Sequence, residues 1–274
     1  MKEEKIKKAV REGYAKIAKQ VDSCCSSVSC CGGSNLQEKI SKKIGYSEEE
    51  LKEVPEDSNL GLGCGNPVAL ASLREGEVVL DLGSGGGFDC FLAARRVGER
   101  GKVIGVDMTP EMIDKARENA RKGGYRNVEF RLGEIENLPV ANSFIDVVIS
   151  NCVINLSTDK ARVFKEAFRV LKPGGRLMIS DIVLVKELPE FIKNSIEAYV
   201  GCLSGAIMKD RYIRLIEEAG FKDIKIVDEI PFPLECMLND PTAKAAINCI
   251  GLSSEEAKNV AESVVSINLR AVKP

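Results

Sequence analysis

The chain has 274 residues, Lys+Arg 39 against Asp+Glu 41, a formal net charge of −2, and 44% hydrophobic and 29% charged residues. These are the values of an ordinary globular chain near the upper size for a single core, so one large domain with additions is expected, without a polyanion-binding face or a membrane span. Ten cysteines and no histidine exclude Ser-His and Cys-His nucleophile pairs and every zinc site built on imidazole.

The opening "MKEEKIKKAVREGYAKIA" is charged throughout and reads as neither a signal peptide nor an anchor. An intracellular, cytoplasmic, reducing setting is therefore expected, where cysteines serve binding or catalysis more often than disulfides. Residues 3–19 show helical spacing, with Ile6, Val10, Tyr14, Ile17 and Ala18 on one side. "DSCCSSVSCCGG" follows, carrying Cys24, Cys25, Cys30 and Cys31, and the stretch to Ser34 has no periodicity and reads as a loop. Its CC-x4-CC spacing does not match the paired CxxC of zinc knuckles. "YSEEELKEV" opens a short helix with Ser47 and Glu50 as a capping box. Residues 55–67 read as loop, and Pro67 starts a short helix towards Leu73.

From residue 76 strands and helices alternate. Strands are expected at 77–83, 102–108, 127–133, 143–152, 176–184, 222–232 and 264–272. Helices are expected at 88–97, from the Thr109 cap to Gly123, and from the Ser157 cap to Gly174. Two more are expected near 189–204, broken at Gly201 or Gly205, and at 209–219; a last one is capped by Ser253 with Glu256. Short connections and regular alternation predict an α/β fold, a Rossmann-like doubly wound parallel sheet. The expected division is 1–54 as an N-terminal helical and Cys-rich extension, 55–230 as the core, and 231–274 as a small addition ending in the last strand.

"VVLDLGSGGGFDC" ends a strand and begins a helix. Its glycines at 83, 85, 86 and 87 allow a tight turn and a close ligand approach, and Asp107 ends the next strand, a position suited to ribose hydroxyls. Strand, helix and acid together make the signal specific, whereas a bare glycine turn would only pack helix on strand. A dinucleotide is less suited than a cation-bearing cofactor, because Asp81 precedes the first glycine and a carboxylate sits poorly beside pyrophosphate.

"VLDLGSGGGFDC", "VIGVDMTPEMI", "GEIENLPV", "FIDVVISNCVINL" and "VLKPGGRLMISDI" resemble the successive motifs of class I S-adenosylmethionine-dependent methyltransferases. The resemblance implies a seven-stranded sheet with an antiparallel last strand. It assigns Asp81, Gly83, Ser84 and Gly85 to the methionine moiety, Asp107 with Met108 to the ribose, and Glu134 and Ile135 to the adenine, with Asn151 completing the cofactor set.

Cys64 lies in the loop before the core, Cys152 at the carboxyl end of strand 143–151, and Cys202 on the helix after strand 176–184. Ligands bind at such carboxyl ends, although a lone buried cysteine more often fills space. Cys90 reads as core, and Cys236 and Cys249 carry no chemistry. "NLGLGCGNP", "SNCVINLS" and "EAYVGCLSGA…RYIRLIEEAGF" resemble the segments that carry the arsenic-binding cysteines of arsenite methyltransferases, over about residues 55–230. That resemblance implies a methyltransferase in which Cys64, Cys152 and Cys202 bind arsenic(III), an external thiol reductant of the thioredoxin or glutathione type, and an accessory redox role for Cys30 or Cys31. Soft trivalent arsenic suits thiolates and keeps a lone pair for methyl transfer, so no histidine base is needed. Binding that displaces thiol protons is expected to weaken in acid. Two other readings stay open: methylation of an organic acceptor such as a quinone ring carbon, and a thiol-rich metal sink on an inactive scaffold.

Overall fold

A computed structural model of the protein describes residues 3–20, 33–231 and 259–274. The helix capped by Ser253 and the cysteines at 24, 25, 30, 31, 236 and 249 lie outside the described residues.

Helices α1 (Glu3–Gln20), α2 (Gly33–Lys43), α3 (Glu48–Glu53) and α4 (Pro67–Leu70) precede the sheet. The alternation then runs β1 (Val78–Leu82), α5 (Phe88–Val97), β2 (Lys102–Asp107), α6 (Pro110–Lys122), β3 (Val128–Leu132), β4 (Ile145–Asn151), α7 (Lys160–Val170) and β5 (Leu171–Leu184). It closes with α8 (Glu190–Lys193), α9 (Ile196–Val200), α10 (Lys209–Glu218), β6 (Lys222–Pro231) and β7 (Val264–Val272). The seven strands stand in the order β3-β2-β1-β4-β5-β7-β6. All pairs from β3 to β5 are parallel, and β7 enters antiparallel between β5 and β6. The expected doubly wound sheet with an antiparallel last strand is the observed one.

Strands β1 and β4 are near-continuous apolar runs because helices cover both faces. One core face packs Leu80, Ile104, Ile145 and Phe164, and the other Val79, Phe91, Val103 and Ile149. The strand order reverses between β1 and β4, which opens a crevice at their carboxyl ends. A third apolar cluster closes over that crevice, joining Ile6 and Val10 of α1 to Leu156, Ile182, Ile192, Tyr199 and Leu203.

The Ser47–Glu50 capping box forms as expected, with both reciprocal bonds present. Four local expectations are corrected. Gly33 and Ser34, expected in the loop, begin a helix over Gly33–Lys43 that was not otherwise anticipated. The helix expected from Ser157 to Gly174 runs only over Lys160–Val170, with Asp159 accepting from the Arg162 N–H. The Ser157 hydroxyl instead accepts from the Asp159 N–H at 3.1 Å, before the helix begins, and donates to Glu136 at 2.8 Å. Gly174 instead bonds Lys273 in the irregular start of β5. The helix expected over 189–204 is two short ones: Ser195 caps the second, which ends at Gly201. Cys202 therefore stands in the turn beyond the helix rather than on it. Thr109 holds the N-cap position of α6 but makes no side-chain cap bond there.

Candidate active site

The crevice is lined from two directions. The β1 turn contributes Asp81, Gly83, Ser84 and Gly85, and the end of β2 contributes Asp107 and Met108. The end of β4 contributes Asn151 and Cys152, and the turn after α9 contributes Cys202; Lys7, Val10 and Tyr14 of α1 face the same cavity.

At the glycine turn, Gly83, Gly85 and Gly87 all hold positive φ angles, of 71°, 50° and 94°. A Cβ at Gly83 would also strike the Val153 side chain, so the close approach of β1 to the segment after β4 requires glycine there. Asp107 draws the turn towards β2: its Oδ2 accepts from the Gly85 N–H at 3.0 Å and its Oδ1 from the Thr109 N–H at 2.8 Å. Each oxygen keeps a further lone pair for a ligand hydroxyl.

Asp81 is 2% exposed and accepts a weak bond from the Cys90 thiol at 3.2 Å. Burial pushes its carboxyl well above the usual range, and neighbouring Asp89 adds to the effect. Asp89 is itself raised by burial to about 6, against the bonds it accepts from Tyr46 and Asn151. Two buried carboxylates face the cavity, and among the described residues neither has an ion pair. A cation placed between them relieves both desolvation and mutual repulsion.

The thiols come from three separate segments. Cys64 is 5% exposed and Cys202 is 5% exposed, while Cys152 is half-buried; all are free. Cys152 stands close enough to both other thiols for each to shift its own. Cys202 Sγ also donates to the Cys152 carbonyl at 3.0 Å. Cys64 Sγ, Cys152 Sγ and an Asp181 carboxylate oxygen lie within 4.8 Å of one another. Cys152 and Cys202 hold left-handed backbone angles, φ 55° and 64°. Burial raises the Cys64 thiol, against its contact with Cys152. At Cys152 the Cys202 contact lowers the thiol, but the Cys64 contact and burial outweigh it and the thiol ends well above its ordinary value. Cys64 and Cys152 are therefore held protonated near neutrality.

Beneath the thiols, Asp181 accepts from Asn155 Nδ2 at 2.9 Å, from the Ile182 N–H at 2.9 Å and from Tyr212 at 3.0 Å. Burial raises it to about 7, and these bonds and Lys160 oppose that rise.

S-adenosylmethionine fits the residues present. Its ammonium and sulfonium charges match the unpaired Asp81–Asp89 floor, and its ribose diol matches the two Asp107 oxygens. The Ser84 hydroxyl is buried beside the cavity without a partner among the described residues, so a donor or acceptor on a ligand satisfies it. Met108 and Ile135 offer apolar faces to a planar base. Glu134 behaves otherwise than its neighbours: Gly133, Ile135 and Glu136 line the cavity, whereas Glu134 bonds Lys7 at 2.8 Å and stands 3.8 Å from Arg11. Cys90 is fully buried in the core, as expected. Tyr46, Asp89, Asp181 and the α1 residues carried no sequence signal for the site; only the position of Asp89 in the first turn after the glycines could have flagged it.

The methyltransferase domain family model matches residues 73–220. The chain is 48% identical over 231 residues to an arsenite methyltransferase of Halobacterium salinarum, covering 81% of this chain and 59% of that protein. It is 39% identical over 192 residues to an arsenite methyltransferase of Homo sapiens, covering 66% of this chain and 51% of that protein. The chain thus spans between half and two thirds of the curated arsenite methyltransferases it matches. Among solved structures, the arsenic(III) S-adenosylmethionine methyltransferase CrArsM of Chlamydomonas reinhardtii aligns with a TM-score of 0.64 and 35% identity, covering 84% of this chain and 72% of that one.

Proposed function

This chain belongs to the arsenite methyltransferase family, and we propose that it moves the methyl group of S-adenosylmethionine to trivalent arsenic held by Cys64, Cys152 and Cys202. The observation that carries this reading is the meeting of three free thiols, from segments 88 and 50 residues apart in the chain, at the cavity that the glycine turn and Asp107 line at its other end: Cys152 and Cys202 face the cavity, and Cys64 is buried beside Cys152.

In this reading residues 55–230 are the catalytic core, 1–54 an extension whose α1 roofs the cavity, and 231–274 an addition that returns the last strand to the sheet. The setting is reducing and cytoplasmic, where the thiols stay free. Asp107 holds the ribose, Asp81 and Ser84 the methionine end, and Met108 and Ile135 the base; Glu134 acts from outside the cavity through Lys7. S-adenosylmethionine supplies an electrophilic methyl group when bound. Cys64, Cys152 and Cys202 replace the arsenite hydroxyls and aim the arsenic lone pair at it. A new arsenic–carbon bond forms as the carbon–sulfur bond breaks, and arsenic is formally oxidised by two electrons. An external thiol, of the thioredoxin or glutathione type, then returns arsenic to the trivalent state, with Cys30 or Cys31 as an accessory.

No residue has to remove a proton from the nucleophile, which is why a chain without histidine suffices. Arsenite brings one hydroxyl for each thiol, so every displaced proton leaves as water and binding near neutral pH releases none. The raised thiols favour this exchange, and weakening in acid no longer follows from it. Catalysis then rests on alignment of arsenic, methyl carbon and sulfur in the cavity.

The test is production of methylated arsenic from arsenite, S-adenosylmethionine and thiol, with Cys→Ser at 64, 152 and 202 in turn. Each variant should lose most of its activity while still binding S-adenosylhomocysteine. Undiminished product from all three variants would refute the assignment.

A further inference from the structure

We propose that Asn151 is a positioning residue that couples occupancy of the cofactor pocket to the seating of the Cys64 loop. The inference rests on the functional reading above and goes beyond it, since it concerns how the two subsites communicate.

Asn151 is the last residue of β4, directly before Cys152. Both ends of its amide grip the loop that carries Cys64. Its Oδ1 accepts from the Cys64 N–H at 3.0 Å and lies 4.0 Å from Cys64 Sγ, and its Nδ2 donates to the Gly65 carbonyl at 2.9 Å. The loop wraps the amide so closely that a Cβ at Gly63 would stand 2.8 Å from Nδ2, and Gly63 has a φ of 116°. Only glycine follows that path. The same Nδ2 reaches the cofactor wall, donating to Tyr46 Oη at 2.9 Å and to Asp89 Oδ2 at 3.1 Å. Tyr46 in turn donates to Asp89 Oδ1 at 2.6 Å.

An amide nitrogen carries two N–H groups, and Asn151 Nδ2 faces three acceptors. One of them is always underserved, and the competition sets the loop carbonyl of Gly65 against Tyr46 and Asp89. The Gly65 bond is the only one of the three that holds the thiol loop. A ligand cation lying on Asp89 takes that carboxylate out of the competition, and the two N–H groups then settle on Tyr46 and Gly65. The Cys64 loop is fixed from both ends of one side chain, and Cys64 is presented to Cys152 in one geometry. By linkage, arsenic bound at Cys64 strengthens cofactor binding by the same factor.

The test measures both affinities on the full chain. Arsenite is titrated with and without saturating S-adenosylhomocysteine, and S-adenosylhomocysteine with and without arsenite. The natural protein should show reciprocal tightening of roughly fivefold or more, the lower end of ordinary coupling between sites. Asn151→Asp keeps the size of the side chain and removes both donors, and Tyr46→Phe removes one of the competing acceptors while leaving the ring packed. Both variants should bind each ligand alone and show a coupling ratio near one. Tyr46→Phe, with two acceptors left for two N–H groups, should bind arsenite without S-adenosylhomocysteine about as tightly as the natural protein does with it, an outcome that a merely structural role for Tyr46 does not produce. Independent binding of the two ligands by the natural protein, or full coupling in both variants, overturns the inference. Failure of the natural protein to bind arsenite or S-adenosylhomocysteine at all overturns the functional reading, and this inference with it.

Discussion

Gly205 offers a way to disturb the thiol site without touching a thiol. It is buried in the turn that follows Cys202, against the carbonyl of Asn155 in the segment that follows Cys152. A Cβ added there would stand deep inside the contact radius of the Asn155 carbonyl oxygen, 3.0 Å from its carbonyl carbon and 3.3 Å from the Tyr199 ring. The nearest obstacle is backbone, which cannot rotate aside as the end of a side chain can. Gly205→Ala must therefore push the two thiol-bearing segments apart by about 1 Å, at an overpacking cost of roughly 1–3 kcal/mol. A misplacement of about 1 Å is enough to reduce rates by about a hundredfold in a site that works by alignment. The glycine turn and Asp107 lie at the other end of the cavity and should be unaffected. The expected outcome is an arsenite affinity lowered at least tenfold, with S-adenosylhomocysteine affinity unchanged and the thermal transition lowered by several degrees. Equilibrium dialysis with elemental arsenic detection, beside calorimetric titration of the nucleoside, reads both. A folded variant with natural arsenite affinity would refute the claim that Cys152 and Cys202 act as one binding unit.

Asp107→Asn should weaken S-adenosylhomocysteine by tenfold or more, since a charge-assisted hydrogen bond is worth roughly 1.5–3 kcal/mol, and should leave arsenite binding intact; unaltered nucleoside affinity in a direct titration would remove Asp107 from the ribose site. Asp181 predicts a pH effect on stability. Its native carboxyl is raised from 3.8 to about 7, so the folded state favours the protonated form. Its contribution is complete below the unfolded value and is lost as pH rises through about 7. At 1.36 kcal/mol per unit the full effect is on the order of 4 kcal/mol. Denaturant unfolding at pH 5 and pH 8 should show that the natural protein loses more stability across this interval than Asp181→Asn; parallel profiles would show that Asp181 does not titrate in this window.

What the sequence disclosed follows from how local each signal is. The run from Val78 to Gly87 carries its strand, its turn and its ligand-facing acid within ten neighbouring positions, and Asp107 follows at the end of the next strand, so that half of the site was legible. The capping box at Ser47 was legible for the same reason. Ser157 misled because its hydroxyl accepts from the Asp159 N–H in the turn before the helix and leaves the cap to Asp159, while its proton goes to Glu136, 21 residues away, a contact no local pattern can register. Residues 33–43 form a helix whose apolar positions Leu36 and Ile40 are four residues apart, with Ile44 following just beyond its end, a period that was present but sparse. Tyr46, Asp89 and Asn151 meet across separations of 43, 62 and 105 residues, and nothing in their immediate neighbourhoods announces the meeting.

The thiols show a different limit. Resemblance named Cys64, Cys152 and Cys202, but it could not say that two of them occupy backbone conformations that favour glycine. At φ 55° and 64° a side chain costs on the order of 1–2 kcal/mol relative to glycine. If the chain needed only to turn at these points, glycine would serve better, as it does at Gly83 and Gly85. A buried cysteine that merely fills space has no reason to accept that strain, because space can be filled from an unstrained position. Here Cys202 Sγ reaches the Cys152 carbonyl at 3.0 Å and stands 3.9 Å from the Tyr14 hydroxyl of α1, and Cys152 Sγ lies within 4.8 Å of Cys64 Sγ. The strain is held by the apolar cluster of Leu156, Ile182, Tyr199 and Leu203 packed around it. The thiol geometry is thus maintained at the expense of local backbone stability, which is the arrangement expected where the sulfur atoms, rather than the turn, are what the fold has to present.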